Sequence, residues 1–84
     1  MLKTNVDLSA FLPIGRSKAA EIATVAGRFQ SMATLERNGI VLYLKSMIGL
    51  LSQSVPKDGQ MVLVVSGDDE EEALAAIMER VSAP

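Results

Sequence analysis

The sequence predicts an α+β fold, a small sheet with helices packed on one of its faces. Three observations carry this. The hydrophobic period switches between two and 3.6 residues along the chain, in the order β-α-β-β-α-β-α. Asn38-Gly39 sits between two apolar runs, the strongest short hairpin signal, because both residues tolerate positive φ. Gln60 to Ser66 is a β-branched, apolar run bounded by turn residues and has the composition of a central strand. At 84 residues the chain has the size of one small domain, taken as 1–84.

Each element has its own signal. Met1 to Leu8 alternates in part, with Leu2, Val6 and Leu8 on one side, and is read as a strand. Phe11-Leu12-Pro13-Ile14-Gly15 is a loop, interrupted by proline and glycine. From about Ser17 to Gln30 the pattern is helical. Ile22, Val25, Ala26 and Phe29 form the apolar stripe, and Ser17 is the expected N-cap. Met32 to Glu36 and Ile40 to Leu44 are the two hairpin strands. Ser46 then caps a short helix from Met47 to about Gln53. Val55-Pro56-Lys57-Asp58-Gly59 is a turn before the strand Gln60 to Ser66. The last helix runs from about Asp69 to Val81, with Leu74, Ile77, Met78 and Val81 as its buried stripe. Its acids lie in the first turn, where the helix dipole favours them.

Composition removes whole classes of function. There is no cysteine, so disulfides and thiolate metal sites are excluded. There is no histidine, so the commonest general base, metal ligand and phosphoryl-accepting imidazole are missing together. Eight Lys and Arg against ten Asp and Glu give a net charge of −2, without the clustered basic excess of a nucleic-acid domain. The apolar runs, such as Met61 to Val65, are far short of the ~18 residues that span a membrane. No signal peptide is visible, and the expected compartment is the cytoplasm. Half of the acids fall in the run Asp68 to Glu72, which is expected to be a solvated helix start. Consecutive helical carboxylates point in different directions, so no metal site is expected there.

Four stretches resemble HPr, the phosphocarrier of the bacterial sugar phosphotransferase system. They are Ala19-Ala20-Glu21 through Gly27-Arg28-Phe29, Leu35-Glu36-Arg37-Asn38-Gly39, Lys45-Ser46-Met47-Ile48-Gly49-Leu50-Leu51-Ser52, and Gly67-Asp68-Asp69-Glu70-Glu71-Glu72-Ala73-Leu74. The resemblance implies an open-faced β-sandwich, a four-stranded antiparallel sheet with three helices on one face and the second hairpin strand at an edge.

The departures from HPr bear on function. The family carries phosphoryl on a histidine within Gly-Leu-His-Ala-Arg-Pro-Ala-Ala. Aligned on Ala19-Ala20, the histidine position is Gly15, the arginine position Ser17 and the proline position Lys18, with Arg16 one residue early. A serine ester lacks the transfer potential of a phosphoimidazole, so relay from phosphoenolpyruvate to sugar transporters is not expected, and neither is catalysis or a cofactor. The catabolite-repression HPr proteins lack this histidine and keep a regulatory serine, which matches Ser46 here. That resemblance implies an ATP-dependent HPr kinase and a transcriptional repressor of the catabolite-control type as partners.

Other residues are candidates for contact. Met47, Ile48, Leu50 and Leu51 crowd the second helix with more apolar residues than one buried face needs, so some are expected to be exposed. Met47, Ile48 and Leu51, with Arg16 and Ser17 of the preceding helix, are the expected partner surface. Arg16 and Lys18 beside helix amides offer a weaker possibility of anion binding; a merely structural loop is the simpler reading. The run Ile40 to Leu44 is apolar on both faces, and Val41 and Tyr43 mark it for self-association as a homodimer. A phosphocarrier homologue, or an adaptor module without phosphorylation, is the alternative.

Overall fold

The computed structural model describes residues 1–9, 14–52 and 58–82, apart from the side chains of Ser52 and Ser82. Leu2–Asp7 forms β1, Arg16–Gly27 α1, Met32–Arg37 β2, Ile40–Tyr43 β3, Met47–Ser52 α2, Gln60–Ser66 β4 and Glu70–Ser82 α3. This is the order expected from the hydrophobic periods. The expected loop residues 11–13, the turn residues 55–57 and the end of the second helix at Gln53 lie outside the described residues.

The sheet is antiparallel throughout, with strand order β1-β4-β2-β3. β4 is central, and its alternation explains why. Met61, Leu63 and Val65 point to one side and are buried, while Val62 and Val64 point to the other and are half-buried. Val6, Ala33, Leu35 and Leu42 join the buried side from the neighbouring strands. α1 brings Ala19, Ile22, Val25 and Ala26 to the same core, and α3 brings Ala73, Ile77 and Val81. At the hairpin, Asn38 and Gly39 take φ 49 and 86, the doubly left-handed turn that matches strand twist. Among the described residues, no helix is long and apolar enough to cross a membrane.

Three local expectations are corrected. Ser17 is not the cap of α1. The cap is Gly15, whose carbonyl accepts from the Ala19 amide at 2.9 Å, and no side chain caps the helix. Ser17 therefore lies in the first turn. The helix also stops at Gly27, short of Gln30, with Phe29 only half-buried against the core. In α3 the fully buried stripe is Ala73, Ile77 and Val81, whereas Leu74 and Met78 only pack along its border.

The early end of α1 has a physical cause 39 residues away. The Asp69 carboxylate, just ahead of α3, accepts the backbone amides of Gln30 and Ser31, each at 2.9 Å. It also accepts the Ser31 hydroxyl. These amides are thus satisfied outside the helix. Ser31 is buried, and Gly67 presses against it: a Cβ on Gly67 would lie 2.5 Å from the Ser31 hydroxyl oxygen, at φ 155. Asp69 is therefore a tertiary tie, not merely part of the solvated acidic run the sequence suggests. The bond from the Ser31 hydroxyl, then that from the Gln30 amide, holds its carboxyl below the ordinary value of 3.8.

A lowered folded-state pKa means stability that is fully present above the unfolded value, about 3.9, and is lost as pH falls through the folded value. Asp69→Asn is expected to lower the urea midpoint at pH 7. The gap to the wild type should close as the pH drops below that range. A gap independent of pH would show that the carboxylate charge contributes nothing.

Candidate functional site: the Ser46 cap and the exposed face of α2

Ser46 immediately precedes α2. Its carbonyl accepts the Leu50 amide at 3.0 Å, the first bond of the helix, and its Oγ accepts the Gly49 amide at 3.1 Å. That is the N-cap expected from the sequence, with the hydroxyl satisfying a first-turn donor. The Ser46 amide donates to the Tyr43 carbonyl at 3.1 Å, so the cap is anchored to the end of β3. The side chain is half-buried.

α2 is too short to bury more than a single position deeply. Leu50, at 2% exposure, faces the core. Met47 is 39% exposed, Ile48 81% and Leu51 44%. Positions 47 and 51, and 48 and 51, are helical neighbours, so the three side chains form one apolar surface patch. Packing within the monomer leaves Ile48 largely uncovered.

α1 packs against α2 and carries the other candidate residues. Gly15, Arg16 and Ser17 are exposed at its start, and Lys18 is half-buried. Lys45 is exposed, its Nζ donating to the Gln30 carbonyl at 3.4 Å. Residues 14–20 and 44–51 contain Arg16, Lys18 and Lys45 and no carboxylate, so this end of the molecule is apolar and cationic. The acids gather instead at the start of α3, where Glu70 meets the Met1 ammonium at 2.8 Å. Among the described residues, no group of three or more carboxylates is placed to hold a metal ion.

Gly15 does not need to be glycine. Its backbone is extended, at φ −94 and ψ −172, and an added Cβ would meet nothing within 4 Å. Val41 and Tyr43 lie apart from this patch, on the uncovered face of β3, with Tyr43 53% exposed. The Asp69 tie escaped the sequence reading. Its only signal is an aspartate at the junction before a helix, which capping alone would explain.

A family profile described as the PTS HPr component phosphorylation site matches residues 16–83. The chain belongs to the HPr family. The catabolite-repression protein Crh of Bacillus subtilis is 33% identical, with a TM-score of 0.76 over 82% of this chain and 79% of Crh. An HPr from Thermoanaerobacter tengcongensis, solved as a dimer, is 32% identical, with a TM-score of 0.69 over 83% of this chain and 79% of that one. A Mycoplasma histidine-containing phosphocarrier shares the fold, with a TM-score of 0.84 at 20% identity over 94% and 90% of the two chains. The HPr-like architecture expected from the sequence is thereby shown. This HPr homologue contains no histidine at any position.

Two substitutions test the geometry. Ser46→Ala should cost about 1 kcal/mol of unfolding free energy through loss of the cap, with the fold retained in circular dichroism. Gly15→His should change stability by less than about 1 kcal/mol, since the backbone and the space admit a side chain. A larger loss on thermal melting would show that the start of α1 requires glycine.

Proposed function

We propose that the protein is a non-catalytic regulator related to carbon catabolite repression, acting by protein–protein contact and switched by phosphorylation of Ser46. One observation carries this reading: a half-buried cap serine stands directly beside the exposed apolar patch of Met47, Ile48 and Leu51. The missing histidine argues against a phosphoryl relay, and the similarity to Crh, a catabolite-repression protein, points the same way. The switch works by charge. A phosphate adds roughly −1.5 to −2 at neutral pH, taking the chain from −2 to about −4. It does so at a helix start, where the backbone favours anions, beside Lys45. The contact surface then presents apolar side chains next to a new anionic group.

The partners are an HPr kinase that uses ATP and a transcriptional repressor of the catabolite-control type. Met47, Ile48 and Leu51 supply the docking surface, with Arg16 and Ser17 at its border. The protein operates as a single domain, 1–84, in the cytoplasm, without a cofactor or a metal. It also forms a homodimer through the region of Val41 and Tyr43. This is supported by the T. tengcongensis HPr dimer and by Crh, which was solved as an intertwined dimer with a swapped domain. A second reading, an adaptor without phosphorylation, is favoured by Ser17 standing where the family pattern has arginine.

Incubation with ATP and an HPr kinase should add one phosphate to the wild type and none to Ser46→Ala, read by intact mass. An unmodified wild type would favour the adaptor. Met47→Lys and Leu51→Lys should keep the melting transition and lose repressor binding. Unfolding of either variant would place the residue in the core.

A further inference from the structure

The sheet has one face without a helix among the described residues, and its side chains are unusual in sequence and arrangement. Two cross-strand rows run over it. One is Lys3, Val64, Thr34 and Tyr43; the other is Asn5, Val62, Glu36 and Val41. Met32, 55% exposed, continues the apolar surface beyond the first row. Read along the strands, β4 contributes a column of two valines and β3 a column of valine and tyrosine. β2 contributes threonine and glutamate, and β1 lysine and asparagine. Within the β2 column the Thr34 hydroxyl donates to Glu36 at 2.8 Å.

We propose that this open face is the homodimer contact, two copies packing face to face about a twofold axis that runs across the strands between the two sheets. The inference rests on the homodimer reading above and names its surface. That axis lays each strand over its own copy in the opposite direction. Val64 then meets Val62 of the second copy, Tyr43 meets Val41, Thr34 meets Glu36 and Lys3 meets Asn5. Every apolar column meets an apolar column, and Thr34 and Glu36 of one copy lie over Glu36 and Thr34 of the other, with the hydroxyl–carboxylate bond kept within each copy. The other in-plane axis, along the strands, would press Val62 against Glu36 and bury a carboxylate on a valine. The self-complementarity of the columns is what selects a second copy as occupant.

The geometry also sets the strength. Four strands about 4.8 Å apart and about 3.3 Å per residue give a footprint near 300 Å² per copy. Such a contact, about 600 Å² over both copies, is smaller than stable interfaces and predicts a weak, concentration-dependent dimer. Pairing through the backbone edge of β3 has less to offer, since that strand spans only Ile40–Tyr43.

The test is sedimentation velocity over a concentration series reaching the millimolar range. It uses the wild type, Val64→Glu and Val64→Thr, with NMR amide shifts followed on dilution of the wild type. Val64→Glu places a carboxylate across from Lys3, so the monomer keeps its fold while the face carries a charge. The wild type should dimerise, with shifts at Val62 and Val64. Val64→Glu should weaken the dimer at least ~100-fold, and Val64→Thr should weaken it ~10-fold. A wild type monomeric throughout would overturn the homodimer reading and this surface together. A dimer that Val64→Glu leaves equally tight, with no dilution shifts in β4, would overturn the surface alone and leave edge pairing or strand exchange. If Val64→Glu unfolds, the threonine variant and the dilution shifts decide by the same criteria.

Discussion

One-sided burial of the sheet is the constraint on which the rest of the molecule depends. Among the described residues, the helices cover one face of the four-stranded sheet. Leu63 and Val65 of the central strand, both without measurable exposure, are the middle of that covered face. Every neighbouring element is arranged around them. β1 and β2 flank β4 and turn Val6, Ala33 and Leu35 inward, and the helices add small buried residues such as Ala19, Ala26 and Ala73 to the same core.

The same economy produces the candidate site. α2 buries Leu50 in the core, while Met47 and Leu51 stay partly exposed and Ile48 largely so. A helix of six residues has little intrinsic stability and relies on packing and on its cap. Ser46 is therefore a structural residue that directly precedes the helix carrying the exposed patch. In the proposed function, a phosphate at this hydroxyl acts on the helix start and on the adjoining apolar patch together. Gly15, where the family pattern has histidine, is sterically open.

The ordering of the sequence elements was legible because each depends on neighbouring residues. Asn38-Gly39 encodes its own turn, the alternation of Gln60–Ser66 encodes a strand with one buried side, and Ser46 encodes a cap that reaches only to Gly49. The family resemblance was legible for the same reason, since it is carried by contiguous stretches. The boundaries of α1 were not. Its end is drawn away by a carboxylate from the other end of the chain, and its start is set by a backbone carbonyl instead of the serine hydroxyl that local preference favours. Asp69 illustrates the difference. Within its own acidic run it is one charge among five, and only the approach of Ser31 gives it three donors.

The amino-acid order settled the element types, the hairpin, the absence of imidazole and thiolate chemistry and the surplus of apolar residues in α2. These follow from period, turn chemistry and composition, all of which act locally or by simple presence. The fold settled which of those apolar residues are exposed, how the loop before β2 is tied to α3, and how Val62 and Val64 align with Val41 and Tyr43 across the open face. Those outcomes depend on strand register and on helix placement, which join residues far apart in the chain, and no short window of sequence contains both partners.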